Sequence, residues 1–83
     1  MTTLTVTSAQ RALGFISARH RGDAVGADLL MAEFDSEQER VLSFCLVAEL
    51  SLVLLAKATA ETFDDVVQRM GISLAALGES REA

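Results

Sequence analysis

An apolar segment in the middle of the chain limits the possible folds more than any other feature of the sequence. It reads VLSFCLVAELSLVLLAKA (residues 41–58), and its few polar residues form only a thin line along a helix. A helix that is apolar on nearly every side is normally buried, either in a protein core or in a membrane. The sequence therefore predicts either a soluble protein built around this helix or a membrane span.

The length and charge of this segment argue against a membrane span. Sixteen residues lie between Arg40 and Lys57, whereas a spanning helix needs about twenty. Glu49 lies in their middle, where a charge in lipid would cost roughly 2.5 kcal/mol or more. The N-terminus, MTTLTVTSAQR, has neither a basic start nor an apolar run, so it does not predict a secretory signal. We therefore expect a cytoplasmic protein that does not enter a membrane, and the single cysteine, Cys45, fits that reducing compartment.

Composition and helix signals predict an all-α fold. The chain has 83 residues, no proline and few aromatic residues, which favours helices over sheets. We predict one domain over residues 1–83, with residues 1–6 and 79–83 frayed. The fold is expected to be a compact bundle of four to five helices around one long apolar central helix. The predicted core consists of Leu13, Ile16, Leu29, Leu42, Leu46, Val53, Leu54, Val66, Val67 and Leu77.

Capping patterns place the first two helices. Thr7 and Gln10 have capping-box spacing, and Gly22 is suited to end the first helix. Asp23 then predicts the start of the second helix. The second helix is expected to turn one apolar stripe inward, formed by Val25, Leu29 and Ala32.

The next two helices have equally clear starts. Ser36 and Glu39 fit a capping box, which predicts a third helix from about residue 37 to about residue 60. Thr62 and Asp65 have the same spacing and predict a fourth helix.

The segment VVQRMGISLAAL (residues 66–77) predicts a corner between two packed helices. Gly71 is expected to end the fourth helix in a left-handed conformation, with Ile72 folded back onto Val67. Ser73 is then expected to cap a short fifth helix.

Residues 62–80 also resemble a helix-turn-helix pattern, and this resemblance implies a DNA-binding regulator as an alternative function. A reading helix projects basic or amide side chains towards the nucleic acid. After Gly71, however, only Arg81 could contact a phosphate, and Glu79 and Glu82 would repel one. The corner is therefore the preferred interpretation, and we expect no nucleic-acid partner.

The distribution of charge also limits the partners. The first 22 residues carry three arginines and no acidic residue, whereas residues 23–83 carry four bases and twelve acids. Only the first helix could offer a basic face, through Arg11, Arg19 and Arg21. Glu49 has apolar neighbours on its helix, so we expect an ion pair with a cation of the first helix, a carboxylate that reaches the rim of the bundle, or a polar contact in an interface.

The residues that could carry chemistry are too few for an active site. The only cysteine, Cys45, and the only histidine, His20, belong to separate elements, and no phosphate-binding glycine loop is present. We therefore predict no catalytic, cofactor-binding or metal-binding residues and no enzyme activity.

Excess apolar surface predicts a protein–protein interaction instead. The central helix has more apolar surface than its short neighbours can cover, and exposed patches of this kind indicate interfaces. We expect a small non-enzymatic regulatory or adaptor protein that binds another protein and self-associates, most simply as a homodimer. The candidate interface residues are Leu30, Phe34, Phe44, Val47, Leu50 and Leu54.

The stretch SARHRGDAVGADLLMAEF (residues 17–34) resembles half of a tetratricopeptide-type repeat. Across residues 9–60 the composition is also similar to that of small uncharacterised Ala/Leu-rich helical proteins of actinobacteria and their phages. This resemblance implies a helical fold and no particular activity. One hairpin cannot form a repeat array, since each repeat needs stacked neighbours.

Overall fold

The chain forms four helices within residues 6–82, which are the residues that the computed structural model describes, with side chains described through residue 79. The helices are α1 (Val6–His20), α2 (Ala24–Ala32), α3 (Glu37–Thr59) and α4 (Phe63–Glu82). No strand occurs in this part of the chain, so the predicted all-α class and the single long apolar helix are confirmed. The chain divides into a first unit, residues 1–49, and a second unit, residues 50–83, with the division inside α3.

Helix α1 ends as the sequence predicts. Gly22 has a positive φ of 80° and follows the last turn as a left-handed residue. The Gly22 N–H donates to the Arg19 carbonyl at 3.1 Å, and the Asp23 N–H donates to the Ala18 carbonyl at 2.9 Å. At its other end α1 already includes Thr7, so this residue lies inside the helix and is not its cap.

Polar side chains cap the N-termini of α2 and α3 at the predicted residues. The Asp23 carboxylate accepts a hydrogen bond from the Gly26 N–H at 2.8 Å, which satisfies a free donor of the first turn of α2. The Ser36 hydroxyl accepts one from the Glu39 N–H at 3.1 Å at the start of α3.

Small side chains are buried in both α1 and α2. Ala12 and Ala18 are completely buried and Ala27 nearly so. A Cβ at Gly14 would lie 3.5 Å from the Leu30 Cδ1 atom, so the α1 backbone passes close to this leucine. This contact joins a glycine of α1 to a half-buried leucine of α2.

The predicted core is therefore wrong for the single chain, apart from Val66, which is 1% exposed. The other nine predicted core residues are exposed: Leu13, Ile16, Leu29, Leu42, Leu46, Val53, Leu54, Val67 and Leu77. The expected inner stripe of α2 is exposed as well, namely Val25, Leu29 and Ala32. Hydrophobic periodicity selects the largest apolar side chains, whereas these helices pack through their smallest ones.

Helix α4 is continuous, and the predicted corner at Gly71 is wrong. The helix begins at a reciprocal pair, in which the Asp65 N–H donates to the Thr62 hydroxyl at 3.1 Å and the Thr62 N–H donates to the Asp65 carboxylate at 3.2 Å. It then runs through Gly71 to Glu82. The turn of a helix-turn-helix motif is therefore not formed in residues 63–82.

The local chemistry explains why α4 continues. A glycine inside a helix costs only about 1 kcal/mol relative to alanine, and good helix formers lie on both sides of it. The Ser73 hydroxyl donates to the Arg69 carbonyl at 3.1 Å within the helix and caps no new one. Ile72 is exposed and does not cover Val67. The predicted fifth helix and residues 79–82 are both part of α4.

Replacing Gly71 by alanine should raise the free energy of unfolding by about 0.5–1 kcal/mol, because alanine loses less backbone entropy in a helix. An added Cβ there would meet no atom within 4 Å. Gly22→Ala is the matched control, and its left-handed backbone should make it destabilising by about 1–2 kcal/mol. Urea denaturation followed by circular dichroism, at equal protein concentrations, measures both changes. A loss of stability in Gly71→Ala would contradict the continuous helix.

The end of α3 contains an alanine in an unfavourable conformation. Ala60 has a positive φ of 57°, in the region that glycine adopts without steric cost. The Ala60 N–H donates to the Lys57 carbonyl at 3.4 Å, and the Glu61 N–H donates to the Ala56 carbonyl at 3.0 Å. This is the same hydrogen-bonding pattern that ends α1, but without its glycine.

Ala60→Gly should therefore stabilise the protein by about 1 kcal/mol. The control is Ala58→Gly, which lies inside α3 and should destabilise by about 0.5–1 kcal/mol. Thermal unfolding of both variants next to the wild type measures the difference. Equal effects of the two substitutions would argue against the left-handed conformation at residue 60.

Candidate interaction surfaces

A polar network in the first unit joins α1 to α3 and to the residue that follows α2. The Arg11 Nε atom lies 3.2 Å from the Glu33 carboxylate, and its Nη1 atom lies 3.5 Å from the Glu39 carboxylate. The Ser8 hydroxyl donates to the same Glu39 oxygen at 2.9 Å. The Arg11 guanidinium also lies 5.5 Å from the centre of the Phe34 ring, at a distance where a cation is attracted to the ring face.

Glu39 has the role that the sequence suggested for Glu49. Glu39 is only 5% exposed, and its carboxylate receives the Ser8 and Arg11 contacts. Glu49 is exposed and forms no ion pair with any described residue, so the expected pair with an arginine of α1 belongs to Glu39. The sequence signal for Glu39 was present, but its spacing from Ser36 assigned it to helix capping alone.

Aromatic rings fill the space beside this network. The Phe15 and Phe44 ring centres lie 5.5 Å apart in an edge-to-face arrangement, and the Phe34 and Phe44 centres lie 6.0 Å apart. Phe34 is buried within the first unit, so its ring offers little surface to a partner. Among the other candidate interface residues, Leu30, Phe44 and Val47 are half-buried, and Leu50 and Leu54 are exposed. Their contact with a partner remains a prediction.

The three arginines among the first 22 residues lie in different surroundings. Arg11 belongs to the buried network. Arg21 contacts Asp23 at 3.5 Å and donates to the Ser17 hydroxyl at 3.1 Å. Arg19 is exposed and has no carboxylate partner among the described residues. These arginines therefore do not form one continuous basic surface.

Arg19 lies instead at the edge of an open groove in the first unit. The groove has a volume of about 550 Å³ and is lined by Phe15, Ile16, Arg19, His20 and Phe44. His20 is exposed, as expected for a residue in the last turn of a helix. Positive charge in the last turn of a helix interacts favourably with the negative end of the helix dipole. The position of Arg19 at the end of α1 therefore has a structural explanation that needs no ligand.

The second unit buries very little apolar surface. Its buried residues, among those described, are Ala56 of α3 and Val66 of α4. A smaller groove between the two helices is lined by Leu55, Val66, Arg69, Met70 and Ser73. Most of the apolar side chains of α4 are exposed, namely Phe63, Val67, Met70, Ile72, Leu74 and Leu77.

One ion pair crosses the link between α3 and α4. The Arg69 guanidinium lies 2.6 Å from the Glu61 carboxylate. The Thr59 side chain and the Arg69 guanidinium hold the pKa of Glu61 below its ordinary value. A lowered pKa means that this contact contributes stability above the ordinary pKa of a glutamate, and that the contribution is lost as the pH falls through the lowered value.

Helix α3 is the one helix in the described part of the chain that is long and apolar enough to cross a membrane. Its most apolar stretch has a mean hydropathy of 2.1, and 11% of that stretch is buried. The capacity to cross a membrane is judged by length and composition alone. Within residues 6–82 no group of three His, Cys, Asp or Glu residues could hold a metal ion. The Cys45 thiol on α3 is free and exposed.

Comparison of the chain with models of protein families, with curated proteins and with solved structures finds no match. The resemblance to small helical proteins of actinobacteria and their phages therefore stays a prediction from composition. The functional argument depends on the surfaces of the chain itself.

Replacing Arg11 by methionine should lower the free energy of unfolding by about 3 kcal/mol, because the Glu39 charge would stay buried without its cation. Adding Glu39→Gln to this variant should recover part of the loss, since the buried charge is then removed. Arg19→Met is the control, and it should change stability by no more than about 0.5 kcal/mol. Equal losses for the two arginine variants in urea denaturation would contradict the role of the network.

Proposed function

We propose that the protein is a small non-enzymatic regulatory or adaptor protein that acts through protein–protein interaction and self-associates as a homodimer. One observation carries this proposal. Among the described residues six hydrophobic side chains are buried, four of them alanine, whereas eighteen large hydrophobic side chains are at least 36% exposed. A soluble monomer rarely leaves so much apolar surface in contact with water.

The energetics of a short chain support the same proposal. Burying a large apolar side chain contributes about 1.5–3 kcal/mol, and an 83-residue chain has little other apolar burial to stabilise it. Small domains of this kind often gain stability from a second subunit. The compact bundle around α3 that the sequence predicts would then be completed by a second copy, which covers side chains such as Leu46 and Leu54.

The chemistry of the available side chains supports a binding role without catalysis. Cys45 lies on α3 and His20 at the end of α1, and the groove lined by His20 does not include Cys45. The Glu39 carboxylate is used by Ser8 and Arg11. We accordingly propose no cofactor and no enzyme activity.

The continuous course of α4 through Gly71 argues against the helix-turn-helix alternative. Insertion of α3 into a membrane would place the exposed Glu49 carboxylate among lipid chains. It would also bring the Arg11 and Glu39 charges, which join α1 to the first turn of α3, close to the lipid. We therefore propose a cytoplasmic protein with a protein partner.

Sedimentation equilibrium at micromolar concentration should give twice the mass of the chain. Association should strengthen with added sulfate salts, because such salts favour the burial of apolar surface. A monomer over the whole accessible concentration range would refute self-association.

Two further measurements separate the competing classes of partner. Binding to duplex DNA should be absent even at low salt, where any phosphate-dependent affinity is strongest. The protein should also stay in the aqueous phase when it is floated with phosphatidylcholine vesicles. Salt-sensitive DNA binding, or flotation with the vesicles, would overturn the proposed function.

A further inference from the structure

The continuity of α4 creates an apolar stripe that a corner at Gly71 would have divided. The stripe, which we call the seam, consists of Phe63, Val67, Met70, Leu74 and Leu77. These residues are alternately four and three positions apart over two heptads. At this spacing, the side chains of one helix pack into the gaps between the side chains of a paired helix. Each of them is at least 40% exposed.

The contacts of the second unit leave the seam free. Within this unit α4 packs on α3 mainly through Val66, whose position lies beside the seam. Met70 lines the groove that also contains Leu55, so the apolar surface extends from the seam towards α3. With Ala56 and Val66 as its buried residues, this helical hairpin lacks the core that a small domain needs.

The charges around the seam favour a second copy of the same chain as its occupant. The chain carries a net charge of −5, so two copies repel each other unless their contact surface is close to neutral. On one side of the seam lie Val66 and Ser73, and on the other side lie Asp64, Gly71 and Gly78. Asp64 is the only charged residue among these flanking positions. A charged foreign helix would be selected by complementary charges at such positions, and they are missing here.

We infer that the seam of α4 is the self-association surface, where the α3–α4 hairpins of two copies pair to form a four-helix contact. This inference rests on the proposed function and gives it a location. It places the main contact on α4, whereas the residues expected from the sequence lie on α2 and α3. The seam is about 21 Å long, from the rise of a helix over fourteen residues.

The test compares two exposed apolar residues on opposite sides of α4. Leu74 lies in the seam and is 62% exposed, whereas Ile72 lies on the opposite face and is 65% exposed. Leu74→Asp should weaken the dimer at least about 30-fold, as loss of an interface hot spot does. Ile72→Asp should leave the dissociation constant within about threefold, because an exposed substitution usually has little energetic effect. Sedimentation velocity over a concentration series measures both.

A third variant separates failure of this inference from failure of the proposed function. Leu46→Asp changes an exposed residue of α3 in the first unit. If Leu46→Asp dissociates the dimer while Leu74→Asp stays dimeric, the inference that the seam is the self-association surface is wrong. The proposal of self-association would still hold. A monomeric wild type would overturn both.

Cross-linking gives a second readout that does not depend on introducing a charge. In a Cys45→Ser background, Leu74→Cys should give covalent dimers with a short bismaleimide, whereas Ile72→Cys should not. Circular dichroism of each variant verifies that the helices are retained. Equal cross-linking at the two positions would overturn the inference even if Leu74→Asp failed to fold.

Discussion

The Arg11 guanidinium links the helices of the first unit, because it contacts one carboxylate after α2 and another in the first turn of α3. This one cation faces two carboxylates and an aromatic ring, and it compensates the burial of the Glu39 charge. The network also determines how α3 is oriented about its own axis in this unit. Glu39 and Ser43 are buried there, whereas Leu42 and Leu46, which share their helical face by spacing, stay partly exposed.

The two units use small residues differently. In the first unit, Gly14 of α1 lies close to Leu30 of α2 and alanines of both helices are buried, whereas Leu13 and Leu29 are exposed. In the second unit, Ala56 and Val66 provide a contact too small to stabilise two helices alone. Both arrangements leave larger side chains exposed. In the second unit, α4 presents them over two heptads in a regular spacing that a second helix can match.

Local signals predicted the ends of the helices well, and tertiary features poorly. Gly22, Asp23, Ser36 and Thr62 act within one helical turn, so their spacing is sufficient to place a helix end. The error at Gly71 arose because a glycine that can end a helix can also be accommodated inside one, and its neighbours determine the outcome. The core was predicted wrongly because periodicity gives the apolar face of a helix but not what covers that face. The partner of Glu39 could not be predicted for a related reason, since it depends on the packing of α1 against the start of α3.

The left-handed alanine at residue 60 indicates how selection acts on a chain of this kind. Natural proteins keep unfavourable residues as long as their stability stays above the threshold that function requires. For a chain that folds together with a second copy, that threshold applies to the assembly, whose stability rises with protein concentration by mass action. At a high enough protein concentration, each helix end therefore needs to contribute less to stability. A copy without its partner is, in turn, exposed to quality-control proteases, which degrade unfolded chains.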